Sequence, residues 1–155
     1  NGENSFIYSR QGYVNNTNGA IVGGLLNYLE SGQTNNSAIV GGNNNTITYL
    51  SIADGVYNSI ILGGSGNTIN SFESAIIGGN NNTVTGSGSV VLGSSGINAT
   101  ELYTTYVSNI VISNSYTPTG TTDNTVGVVG SVTWDDNYFY YKDNTGWKRI
   151  SGTTW

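Results

Sequence analysis

Triplets of apolar residues recur along the chain, each ending at a glycine: Ala20-Ile21-Val22, Ala38-Ile39-Val40, Ile60-Ile61-Leu62, Ala75-Ile76-Ile77 and Val90-Val91-Leu92. The first four run into the pairs Gly23-Gly24, Gly41-Gly42, Gly63-Gly64 and Gly78-Gly79, and the fifth into Gly93-Ser94. The leading glycines are 18, 22, 15 and 15 residues apart. At fixed offsets behind them come Asn27, Asn45, Asn67 and Asn82, then Leu29, Ile47, Ile69 and Val84. Residues 5–8 (SFIY) read as a worn first copy, and 89–99 as a decayed last one.

A unit of about 15 residues, with β-branched triplets and no helix-length apolar stripe, predicts one coil of a parallel β-solenoid with two short strands per coil. The glycine pairs supply the positive φ that a sharp corner needs. The recurring asparagine is placed to stack on its copies and bond the turn backbone, which makes Asn45, Asn67 and Asn82 a structural ladder. The two strands differ. Thr46-Ile47-Thr48 and Thr83-Val84-Thr85 alternate, as a strand with one buried face does. The triplets are apolar at every position, so Ile39, Ile61 and Ile76 fill the coil interior only if the residues beside them point outward. Stacked, those outward residues form a stripe larger than soluble monomers usually expose. A homo-oligomer with coils side by side about an axis is the expected cover.

Insertions in solenoids gather on one side, so the long connection at 48–58 is a second surface to consider. Its Tyr49 and Tyr57 are receptor-contact candidates, or else they pack over the coil or a neighbouring subunit.

Composition narrows the function classes. Of 155 residues only 8% are charged, while 11% are aromatic, and aromatics combined with spaced Ile/Val clusters predict a packed chain despite the Gly, Asn, Ser and Thr content. The cations are Arg10, Lys142, Lys148 and Arg149 against nine acidic residues, for a net charge of −5. With no cation between residues 11 and 141, the chain lacks the basic stripe that nucleic acid or an anionic membrane surface requires. No run has the length of a membrane span and no secretory signal is present. The start at Asn1, inside the repeat pattern, reads as part of something longer. With neither His nor Cys, the commonest general base and the commonest metal ligands are missing. No cofactor and no metal are expected. Asp135, Asp136, Asn137 and Asp143 are hard oxygen donors, but the EF-hand pattern is absent.

From Thr100 onward the glycine-pair period stops, and charges and aromatics return. Residues 104–113 read as a long strand, Tyr116-Thr117-Pro118 as a bend, and 131–142 followed by 146–150 as a hairpin turning at Asp143-Asn144-Thr145-Gly146. The expected division is therefore 1–99 solenoid, 100–118 connection and 119–155 terminal module. By alternation Tyr138 and Tyr140 share one face of the strand, and Phe139 and Tyr141 share the other. Trp134, Phe139, Tyr141 and Trp147 read as a small core or an intersubunit plug. Tyr138 and Tyr140, together with Lys148 and Arg149, read as aromatic and cationic contacts for a sugar, including an anionic glycan.

The S-A-I-I-G-G and S-V-V-L-G segments resemble the head repeats of trimeric autotransporter adhesins, and still more the related repeats of bacteriophage tail fibres. Residues 101–113 and the closing 127–155 are similar to the distal strand and terminal module of such fibres, through Trp134-Asp135, the aromatic run and Trp147-Lys148-Arg149 in order. The resemblance implies a homotrimeric β-roll in a virion tail fibre, outside the cell. Other tail proteins and a host surface glycan or protein would be its partners. A purely structural fibre or decoration protein and a bacterial adhesin head are the alternatives. An enzyme is not expected: a glycosidase needs two carboxyls facing each other about 5–10 Å apart. Adjacent Asp135 and Asp136 point to opposite faces of a strand, and only Asp54 and Glu73, in successive connections, stand where they could approach.

Overall fold

The computed structural model describes residues 5–15, 18–29, 34–48, 56–111, 116–123 and 126–151. It is all-β and divides into two compact units, residues 1–108 and 109–155.

The first unit is a parallel β-solenoid of about six coils. One face is a seven-stranded sheet of Phe6–Arg10, Ala20–Leu25, Ala38–Val40, Ile60–Leu62, Ala75–Ile77, Val90–Leu92 and Thr105–Tyr106. The other is a six-stranded sheet of Tyr13–Val14, Tyr28–Leu29, Thr46–Ile47, Thr68–Ile69, Thr83–Val84 and Asn98–Ala99. Corresponding residues of successive coils pair in register, as in Ile39↔Ile61, Ile76↔Ile61 and Ile76↔Val91. The worn copy at 5–8 and the decayed one at 89–99 both form coils.

Each triplet buries its middle residue and turns the other two out. Ile21, Ile39, Ile61, Ile76 and Val91 form one internal column, and Val14, Leu29, Ile47, Ile69, Val84 and Ala99 the facing one, all essentially inaccessible. The core is a double file of aliphatic side chains, one from each strand, which is why so lean a composition suffices.

Asparagine closes the corner between the sheets, as expected. Asn27, Asn45, Asn67 and Asn82 are fully buried. Their Oδ1 atoms accept the next coil's backbone N–H, at 3.0 Å for Asn45, 3.1 Å for Asn67, 3.0 Å for Asn82 and 2.9 Å for Ile97. Their Nδ2 groups donate to carbonyls of the neighbouring coil, Asn45 to Gly64 at 3.1 Å and Asn67 to Gly79 at 3.2 Å. The amides of these four residues are thereby bonded, and the ladder stiffens the stack.

The two glycines of each pair have different duties. Both take positive φ, 71° at Gly78 and 84° at Gly79 for example. A Cβ on Gly78 would meet nothing within 4 Å, whereas one on Gly79 would collide with the carbonyl oxygen of Ser94 and lie 2.6 Å from Asn82 Nδ2. The second glycine is where adjacent coils touch backbone to backbone.

A serine ladder at the opposite corner went unassigned in the repeat. Ser37, Ser59, Ser74 and Ser89 are buried, and the Oγ of each accepts the next coil's backbone N–H. The two longer repeats add a short parallel pair, Thr34–Asn35 with Val56–Tyr57, beside the main sheets.

Residues 104–113 do not form a long strand among the described residues. Only Thr105–Tyr106 is extended, and it pairs with Val90–Val91, carrying the solenoid past residue 99. Ser108 bonds Ser94 through its N–H and its hydroxyl, which anchors the end of this unit.

The second unit is an antiparallel sheet of Val132–Trp134, Tyr138–Asp143 and Gly146–Ser151. The hairpin at 143–146 forms as expected, Asp143 Oδ1 accepting the Thr145 N–H at 2.8 Å and its hydroxyl at 2.7 Å. The stretch before it contains a second turn: Asp135 Oδ1 accepts the N–H groups of Asn137 at 2.8 Å and Tyr138 at 2.9 Å, folding Trp134 against Phe139. An aspartate able to cap its own turn outweighed strand continuity.

Candidate functional site

Two surfaces stand out, one on each unit. On the solenoid, the outward residues of the triplets line up in two columns. One is Ala20, Ala38, Ile60, Ala75 and Val90, and the other is Val22, Val40, Leu62, Ile77 and Leu92, paired coil to coil. The second column is 39–44% exposed along its length, and Tyr8 extends it at the first coil. No charge interrupts either column between residues 20 and 92. Ordinary solvated sheet faces alternate with polar residues, as Thr46, Thr68 and Thr83 do on the other sheet.

On the second unit, a loop and a sheet face enclose a cleft. The loop at 116–123 is held by Asp123, whose Oδ2 accepts the Tyr116 hydroxyl, the Thr119 N–H at 3.0 Å and the Thr119 hydroxyl at 3.1 Å. It docks on the sheet through the Trp147 N–H to Thr121 O at 3.0 Å and the Tyr116 N–H to Thr133 Oγ1 at 2.8 Å. Gly146, at φ 119°, is required for that docking because a Cβ there would run into Thr121 O. The cleft between them, about 360 Å³, is lined by Pro118, Thr119, Gly120, Thr121, Tyr140, Trp147, Lys148 and Arg149.

Beneath the loop lies a small core of mixed polarity. Tyr140 and Trp147 are buried, with Tyr116 at 6.5 Å from the Trp147 ring. Lys142 is buried too, its Nζ donating to the carbonyls of Gly127 at 3.0 Å and Asp123 at 3.1 Å and lying 5.5 Å from the indole. The Tyr140 hydroxyl donates to Asp135 Oδ2 at 2.6 Å. That bond, with the two turn N–H groups, holds the Asp135 carboxyl below its usual range and raises the Tyr140 phenol. The Trp147 indole N–H is buried without a hydrogen-bond acceptor.

The faces of the central strand differ from one of the expectations. Tyr138 and Tyr140 do share a face, but it is the inner one, with Tyr140 closed off and Tyr138 half-buried; Phe139 and Tyr141 point out. The strand follows Lys142 and Trp147, whose carbonyl cage and indole lie under the loop. The proposed aromatic quartet splits accordingly. Trp147 goes inward, while Trp134, Phe139 and Tyr141 share the outer face with exposed Val132 and Ile150 by alternation.

Of the receptor-contact candidates, the structure brings Tyr138, Tyr140 and Arg149 together: the Arg149 guanidinium lies 4.5 Å from the Tyr138 ring centre, and the Tyr138 and Tyr140 rings are 6.0 Å apart. Lys148 pairs with Tyr141, so its side chain alternates to the outer face, near Asp143. Tyr49 lies outside the described residues, as does the side chain of Tyr57, whose backbone pairs with Asn35. Asp54 lies outside them as well, so its approach to Glu73 is not described. Asp135 and Asp143 head turns at opposite ends of one strand and do not converge, and no group of three acidic side chains gathers among the described residues. Sequence reasoning missed the cleft wall at 118–121 and the roles of Asp123 and Lys142. Tyr116-Thr117-Pro118 signalled a bend but not what the residues after it would cover.

No family model, curated protein or solved structure matches the chain.

Proposed function

We propose that the chain is part of an extracellular fibre of the bacteriophage tail-fibre kind, in which three copies pack their solenoids side by side and the C-terminal unit serves attachment. The observation that carries this reading is the uncharged double column on the outer face of the seven-stranded sheet. A cover for it must match apolar residues repeating at the coil spacing over five coils, and a second copy of the same chain has that spacing by construction. Removing the remaining exposed area of each Val, Leu or Ile contributes roughly 1 kcal/mol, and five coils in register multiply it. Three copies close such a stripe about an axis and leave the threonine-bearing sheets facing water.

In this reading the solenoid is a spacer stiffened by its Asn and Ser ladders, and the outer aromatic face of the second unit joins the same assembly. Three identical attachment units then make weak single contacts effective through local concentration. No catalytic step is assigned: Asp135, the carboxylate nearest the cleft residues, accepts hydrogen bonds from Tyr140, Thr117, Asn137 and Tyr138.

Sedimentation of the chain, alone and as Leu62→Lys and Ile77→Lys, tests the reading. Trimers that dissociate on either substitution, with the coils still folded by circular dichroism, support it. Monomers of 16.3 kDa at every concentration overturn it.

A further inference from the structure

The cleft of the second unit combines an aromatic floor, a cation and a fixed polar wall, and none of the described residues fills it. Its volume, about 360 Å³, is that of a small-molecule site, at the lower end of the ~300–1,000 Å³ such sites span. Three features distinguish it from an accidental groove. First, its loop is tied at three points: Asp123 organises it internally, and Trp147 N–H and Thr133 Oγ1 hold it to the sheet. Second, Arg149 is exposed, held over Tyr138, and pairs with no carboxylate among the described residues. Third, the Trp147 indole, part of the lining, carries the one buried side-chain donor or acceptor of this unit that lacks a partner among the described residues.

We propose that this cleft binds a carboxylate-bearing sugar residue. A guanidinium offers a planar fork that matches a carboxylate with two parallel N–H···O bonds. Tyr140 and Trp147 are buried and close the floor of the cleft, leaving the sugar hydroxyls to the threonine-bearing loop. A phosphodiester polymer fits less well. The site has no glycine-rich nest of N–H groups, and the chain's net charge of −5 offers no basic track for a backbone of phosphates. An isolated carboxylate on a neutral ring asks for one arginine, which is what the cleft provides. The inference rests on the attachment role proposed for this unit and is independent of how the solenoids associate.

The test is titration of the whole chain, followed by amide and indole N–H NMR shifts, with D-glucuronate, N-acetylneuraminate, glucose, glucose 6-sulfate and acetate. The expected result is saturable shifts at Trp147 and residues 118–121 at millimolar glucuronate or N-acetylneuraminate, with glucose and acetate alone giving none. Arg149→Gln, at an exposed position, weakens that binding about 10-fold or more. Gly120→Phe also blocks it, because a Cβ at Gly120 meets nothing within 4 Å and a large side chain there has room at the rim of the cleft. Arg10→Gln, an exposed cation of the first unit outside the cleft lining, changes affinity less than about 2-fold. Sulfate binding as tight as carboxylate binding overturns the carboxylate assignment. Sugar binding that survives both Arg149→Gln and Gly120→Phe overturns the cleft while leaving the attachment role standing. No binding of any acidic sugar by a chain that still sediments as a trimer overturns the cleft and leaves a purely structural fibre.

Discussion

The solenoid and the C-terminal unit solve the same problem, a core too small for its chain length, in opposite ways. The solenoid repeats one solution: an aliphatic pair per coil, an Asn and a Ser that bond the next coil, and a glycine where backbones touch. Its errors would repeat too, so each position tolerates few residue types. The C-terminal unit gives its buried polar groups separate, unrepeated tasks. Lys142 sits in a cage of carbonyls, Asp123 organises a loop, and Tyr140 bonds Asp135. Regularity makes the first unit stiff and uniform; irregularity gives the second a cleft.

The largest expected contrast lies within a glycine pair. Gly79→Ala combines the left-handed strain of about 1–2 kcal/mol with a backbone collision costing about 1–3 kcal/mol more, whereas Gly78→Ala carries the strain alone. Equilibrium denaturation should place the two alanine variants at least about 1 kcal/mol apart, Gly79→Ala the weaker. Equal losses would mean that the coils do not touch at the second glycine.

Next comes the buried ladder. Asn67→Ala leaves the Asn82 N–H and the Gly79 carbonyl without their side-chain partner, and should cost about 2–4 kcal/mol. The exposed ladder beside the serines at the opposite corner, where Asn36 Nδ2 donates to Asn58 Oδ1 at 3.4 Å, is a control: Asn36→Gly keeps the positive φ and should cost under about 0.5 kcal/mol.

The smallest effect is a difference in pH response. Asp135 and Asp143 have carboxyls lowered by the turns they cap, Asp135 chiefly by the Tyr140 hydroxyl and Asp143 by the Thr145 hydroxyl. A group depressed in the folded state contributes stability above its unfolded value of 3.8, and that contribution disappears as pH falls through the lower folded value. The aromatic near-ultraviolet signal of the second unit should therefore lose stability below about pH 4, and Asp135→Asn should flatten that dependence. An unchanged profile in the variant would separate Asp135 from the effect.

The same contrast governs what could be read from sequence. Ile39, Ile61 and Ile76, the glycine pairs and Asn45, Asn67 and Asn82 were legible because a period turns one observation into four. The serine ladder was visible as a letter, Ser37, Ser59, Ser74 and Ser89, but serine is common in this chain and its bond to the next coil needs the third dimension. In the second unit nothing repeats. Alternation correctly grouped Tyr138 with Tyr140, yet period two cannot say which group faces inward. That was decided by Lys142 and Trp147 meeting carbonyls and a loop distant in sequence. Likewise the Asp135 turn interrupted a run whose residue types alone favoured one strand.

Cysteine cross-linking tests most directly whether sister chains cover the apolar columns. The chain has no native cysteine, so Ile77→Cys, on the exposed column, and Thr83→Cys, on the threonine-bearing sheet, each introduce a single thiol. Under mild oxidation in dilute solution, the account predicts rapid disulfide-linked dimers for Ile77→Cys, with almost none for Thr83→Cys. Equal and slow cross-linking at both positions would contradict it, because the column would then be as open to water as the opposite sheet.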